Sequence, residues 1–145
     1  MCAVYSGVIL TTPLQLALAQ LLKHLELAGS ASAHDNADLR TAFRTAAIKS
    51  IDYAYELAIK LIRRQLELAD SAELVDAMDF RTLIRTAAER GLLSDPAVWF
   101  LFREKRNITS HTYDETKALD VLGHLPAFAA ALQGLLAAIS KAHAS

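Results

Sequence analysis

Cysteine is almost absent from this chain. The single Cys2 cannot close an internal disulfide, which suits a reducing, cytoplasmic compartment. Three prolines and five glycines in 145 residues leave little punctuation, and no segment alternates apolar with polar residues as a half-exposed strand would. Fifteen Lys and Arg against sixteen Asp and Glu leave a net charge of −1. A global pull toward nucleic acid or anionic membrane is therefore missing, and any such contact must be local, through a basic cluster. Uninterrupted apolar runs fall far short of the ~18–20 residues of a membrane span, so no membrane role is expected. The apolar run at residues 3–10 lacks a basic segment before it and is not read as a signal peptide. The five His residues are scattered, with no His or Cys partner at ligand spacing, and cysteines for haem or an iron–sulfur cluster are lacking. No metal and no cofactor is expected.

What fills the chain is Ala, Leu, Glu, Lys, Arg and Gln, residues that favour helix at nearly every position. At this length the whole of 1–145 reads as one domain, with 1–12 as a loosely attached N-terminal segment. A first helix is expected from about Thr12, with Pro13 in its first turn and Leu14, Ala17, Leu18, Leu21, Leu22 and Leu25 on its apolar face. Gly29-Ser30-Ala31-Ser32 reads as a flexible connection ending in the turn formers Asp35-Asn36. A second, long helix runs from about Asp38 to about Ala69, its stripe made by Phe43, Ala47, Ile51, Ala54, Ala58 and Ile62. Asp79 caps another, stopped by Gly91, and Asp95-Pro96 opens the next. A last helix spans Glu115 to about Ala142, bent or split by Gly123 and Pro126. The fold class is all-α: an up-and-down four-helix bundle with one or two short extra helices. An apolar content of 53% is best used on a subunit interface, most simply that of a two-fold homodimer.

One stretch departs from this packing-dominated pattern. Arg106 to Glu115, RNITSHTYDE, gathers a fixed cation, an amide, hydroxyls, an imidazole, a phenol and two carboxylates. Arg106 offers a donor fork for a phosphate, and His111 titrates in the range a general acid/base needs. Each also has a plain structural reading: a cation at a helix C-terminus, a satisfied polar residue at a helix end, a packing tyrosine at Tyr113, a cap at Asp114. Arg103, Lys105 and Arg106 form a basic cluster that could equally be a solvated face. At ~100° per residue, positions five apart diverge by about 140°, so Arg106 and His111 do not share a face of one straight helix. They cooperate only if the helix ends near Ser110 or if they meet across a dimer axis.

The segment Trp99 to Glu115, WFLFREKRNITSHTYDE, resembles the signature of the nucleotidyltransferase substrate-binding proteins, members of the HEPN superfamily similar to HepT toxins, with the pattern R-x-x-x-x-H-x-Y. Two further segments carry the resemblance, Ile51 to Lys60 (IDYAYELAIK) and Arg85 to Asp95 (RTAAERGLLSD). The first departs from the family pattern at Asp52 and Ile59. The resemblance implies a homodimeric four-helix bundle that partners a minimal nucleotidyltransferase as the toxin-like half of a toxin–antitoxin pair. It further implies a metal-independent RNase site at the dimer cleft, with Arg106, His111 and Asn107 as catalytic residues and Tyr113 as the acceptor of a transferred AMP. Arg103, Lys105, Arg106 and Ser110 would bind the anion of an RNA or nucleotide. The alternative is a non-catalytic nucleotide- or substrate-binding subunit of a nucleotidyltransferase complex.

Overall fold

The computed structural model describes residues 10–109 and 115–144, which form seven helices: α1 (Thr12–Ala28), α2 (Ala31–Asp35), α3 (Ala37–Glu67), α4 (Ala72–Asp76), α5 (Phe80–Glu89), α6 (Pro96–Thr109) and α7 (Glu115–Ala144). Four of them, α1, α3, α6 and α7, are the long members of the bundle, as the periodicity leads one to expect. Most starts are set by local side chains. The Asp79 carboxylate accepts from Thr82 N–H at 2.8 Å, and Asp95 accepts from Ala97 N–H at 3.0 Å ahead of Pro96. α5 stops at Gly91, whose φ of +81° lies in the left-handed region. There Leu92 N–H reaches back to the Ala87 carbonyl at 2.9 Å and Gly91 N–H to that of Ala88 at 3.0 Å.

Two expectations are corrected. The stretch read as a flexible connection at 29–36 contains α2. Ser30 Oγ donates to the Leu27 carbonyl at 2.6 Å and accepts from Ala33 N–H at 3.3 Å, while Ala33 is buried. Asn36 then closes α2 and caps α3, its Oδ1 accepting from Asp38 and Leu39 N–H at 2.9 and 3.2 Å. The last helix, expected to be bent or split by Gly123 and Pro126, is not split: α7 runs unbroken past both. Pro126 removes one N–H and leaves the Leu122 carbonyl without its helical donor. The buried residues on either side, Val121 and Leu125 before it and Phe128, Ala129 and Leu132 after it, anchor both halves to one core and offset that loss.

α3 lies at the centre and packs against all six other helices. Its stripe of Ala47, Ile51, Ala54, Tyr55, Ala58, Leu61 and Ile62 meets Leu14 and Leu21 of α1, and Phe102 and Phe128 of α6 and α7. Phe102 and Phe128 touch edge to face at 4.9 Å, with Trp99 edge-on to both at 6.1 and 6.5 Å. Leu22, expected on the core face of α1, is exposed. By length and composition α7 is apolar enough to cross a membrane over Thr116–His143, and a third of its apolar 18-residue stretch is buried within the bundle.

Candidate functional site

Arg106 lies in the last turn of α6, seven residues beyond the buried anchor Trp99 and four beyond Phe102. The packing of those rings sets the helix against α3, so Arg106 faces three α3 residues spaced i, i+3 and i+4: Asp52, Tyr55 and Glu56. Its Nη2 donates to Glu56 Oε1 at 2.5 Å, its Nε stands 3.8 Å from Asp52 Oδ1, and its guanidinium lies 5.5 Å above the Tyr55 ring. Tyr55 is 4% exposed, and its hydroxyl is buried with no hydrogen-bond partner among the described residues. Burial pushes that phenol well above its usual range, with Arg103 and Arg106 pulling it partly back. The group therefore stays protonated across all working pH values and can act as a hydrogen-bond donor.

These residues open on a groove of about 620 Å³ between α3, α5 and α6, lined by Tyr55, Ile59, Lys60, Arg63, Phe80, Arg103 and Arg106 among others. Its α5 edge carries a second feature. Arg103 lies over the Phe80 ring at 4.3 Å, and Arg81 and Arg85 lie over Phe100 at 4.9 and 6.0 Å. The rings are themselves contiguous, Tyr55 to Phe80 at 6.3 Å and Phe80 to Phe100 at 5.9 Å. Four guanidiniums thus rest on three neighbouring rings drawn from three helices. Asp79 sits at this edge; its bonds from the backbone and side chain of Thr82, and then the fields of Arg81 and Arg85, hold its carboxyl below the usual aspartate range.

Arg103 and Arg106 from the anticipated anion cluster do come together. Lys105 does not join them: its ammonium bonds Asp120 of α7 at 2.6 Å, holding that carboxyl low, and it is not among the groove's lining residues. Asn107 is exposed on α6. Ser110, His111, Tyr113 and the cap candidate Asp114 lie outside the described residues, directly after α6 in the sequence. Among the described residues, no group of three or more His, Cys, Asp or Glu could hold a metal ion. Sequence reasoning missed Glu56, Tyr55 and the α5 arginines as site members. The spacing of Asp52, Tyr55 and Glu56 on one helix face was the one available signal; Phe80, Arg81 and Arg85 read simply as the start of an amphipathic helix.

The described residues thus form an all-helical bundle with an arginine-rich groove beside the end of α6. Residues 11–141 match the model of the family described as nucleotidyltransferase substrate binding protein like, and the chain belongs to that family. A Haemophilus influenzae structure described as the fold of a substrate-binding domain of a nucleotidyltransferase is 29% identical, with a TM-score of 0.82 over 90% of this chain and 99% of that one. A Thermus thermophilus crystal structure is 26% identical, with a TM-score of 0.66 over 87% of this chain and 98% of that one. Among curated proteins, a Haemophilus influenzae protein described as a probable ribonuclease HepT is 47% identical over 38 residues, a match that spans 26% of each chain.

Proposed function

We propose that this chain is the HEPN-type partner of a minimal nucleotidyltransferase, acts in the cytoplasm as a two-fold dimer, and cuts RNA without a metal ion. The observation that carries this reading is the convergence on one groove of Arg103 and Arg106, two guanidiniums able to donate to an anion, over the Tyr55 ring. The segment bearing His111 follows immediately. In the reaction, His111 takes the proton of an RNA 2′-hydroxyl as that oxygen bonds to the adjacent phosphorus. The bond from phosphorus to the 5′-oxygen breaks, and that oxygen takes a proton from the imidazolium. The products are a 2′,3′-cyclic phosphate and a 5′-hydroxyl. Arg106 stabilises the charge that builds on the phosphoryl oxygens, and Asn107 orients them.

Control follows from Tyr113. The partner brings ATP, the Tyr113 phenol oxygen attacks its α-phosphorus, and pyrophosphate leaves. The bulky anion fixed two residues from His111 then blocks the groove. The test is incubation of single-stranded RNA with the purified chain in EDTA. Cleavage is expected, and His111→Ala should abolish it while helicity and size-exclusion volume stay unchanged. An inert wild type sinks the nuclease reading. The second reading, a non-catalytic nucleotide-binding subunit, draws support from the Haemophilus neighbour described as a substrate-binding domain. It requires an inert wild type that still forms a complex with the nucleotidyltransferase and binds nucleotide through Arg106.

A further inference from the structure

The ladder of arginines on rings extends beyond what a single phosphate or nucleotide needs. Arg106 rests on Tyr55, Arg103 on Phe80, and Arg81 and Arg85 on Phe100, across two successive ring-to-ring steps of 6.3 and 5.9 Å. Arg81, Arg85 and Arg103 are exposed, and among the described residues none of them has a carboxylate within ion-pair distance. The nearby Asp79 is already engaged as the cap of α5. A chain of net charge −1 therefore places Arg81 and Arg85 beside the groove and Arg103 within its lining, with Asp79 as the acidic neighbour of the first two.

The choice of side chain identifies the ligand. All four positions over rings are Arg, although the chain uses Lys freely elsewhere. Bare charge would be served as well by Lys, and the guanidinium fork alone suits carboxylate and phosphate alike; what sets these positions apart is that the forks lie on rings. A guanidinium lying on a ring keeps its outer plane open for a base and its N–H edges open for phosphate oxygens. We infer that Arg81 and Arg85, through the Phe100 and Phe80 rings, form a docking track for the backbone and bases of a single-stranded polynucleotide leading to Arg106. The inference rests on reading the groove as an RNA site. It adds to that reading a binding segment on α5 that takes no part in chemistry.

The test is fluorescence anisotropy with a labelled single-stranded RNA of about ten nucleotides, within the usual footprint of such sites. It is run in EDTA on the full chain carrying His111→Ala, so that cleavage does not intervene. Each phosphate contact to a single strand contributes about 0.7 to the slope of log affinity against log salt. The double variant Arg81→Gln/Arg85→Gln should therefore lower that slope by about 1.4 and weaken binding roughly ten- to thirtyfold near 0.1 M salt, with far-UV circular dichroism unchanged. Arg81→Lys/Arg85→Lys should keep the slope and still lose affinity, because the planar face is gone. Unchanged affinity and slope in the Gln variant overturn the track, as does a parent protein that fails to bind the RNA. Retained RNA affinity with loss of the nucleotidyltransferase complex also overturns it and makes the ladder a protein interface. If the wild type cuts no RNA but binding follows the expected pattern, the nuclease reading falls and the track stands.

Discussion

Glu56→Gln is expected to tighten RNA binding, because in the free protein Glu56 occupies the guanidinium that a phosphate would use. Arg106 Nη2 and Glu56 Oε1 stand 2.5 Å apart, while the side chains are 31% and 57% exposed. Water screens such a pair, and exposed ion pairs contribute about 0.2–1 kcal/mol. That range sets both consequences. Stability should change by less than about 1 kcal/mol, a shift of at most about 3 °C in Tm for a chain of this size. An anion that no longer displaces Glu56 should bind about two- to fivefold more tightly, since 1.4 kcal/mol is tenfold. Asp52, at 3.8 Å from Arg106 Nε, retains part of the competition, so adding Asp52→Asn should increase the gain. The assay is the same anisotropy titration, carried out near 0.1 M salt and again near 1 M, where a Debye length of about 3 Å should erase most of the difference. A double-mutant cycle with Arg106→Ala completes it: the gain must vanish when Arg106 is absent. Weaker binding by the Glu56→Gln protein would refute the reasoning, since it would mean that Glu56 holds Arg106 in its binding posture. A gain that survives in the Arg106→Ala background would refute it too.

Two further outcomes are expected. Tyr55→Phe deletes a buried hydroxyl without a partner among the described residues, so urea unfolding should show stability equal to wild type or higher by about 1 kcal/mol, with RNA affinity reduced if that hydroxyl donates to the ligand; a loss of stability beyond about 1 kcal/mol would show that the hydroxyl is satisfied. Asp79 has a lowered pKa in the folded protein, so its contribution is fully present above the ordinary aspartate range and is lost as the pH falls below about 4 through that lowered value. Asp79→Asn keeps the cap acceptor but cannot titrate, so Tm followed down to about pH 3 should fall less steeply in the variant. Parallel curves would remove Asp79 from the acid response.

The sequence is most informative where structure is local. Pro13, Asp79, Gly91 and Asp95-Pro96 each act within four residues, and each marks a helix end where it was expected. Two local signals misled. The Gly-Ser-Ala-Ser composition hides a cap at Ser30, and Pro126 breaks a helix only when both flanks are free, which the packing of Leu125 and Phe128 prevents. In the site, Arg106 stood out because of its neighbours in sequence, but its partner Glu56 is fifty residues away on another helix. The pairing depends on how α6 lies on α3, and no spacing rule reports that. The same holds for Arg81 and Arg85, whose rings belong to α6 rather than to their own helix. Lys105, one residue from Arg106, turned instead to α7 because a step of ~100° around the helix sends neighbours to different faces.

The rings beneath the arginines have a thermodynamic consequence. Immobilising a long side chain at an interface costs about 0.5–1.5 kcal/mol in lost rotamer freedom. Arg81, Arg103 and Arg106, lying 4.3 to 5.5 Å from ring centroids, surrender part of that freedom when the protein folds rather than when a ligand arrives. Ligand binding at this edge should therefore carry a smaller entropic penalty than the same charges would impose on free stems. Replacing a ring by Leu while keeping its arginine should appear in calorimetry as a more unfavourable entropy of binding, with the number of cations unchanged.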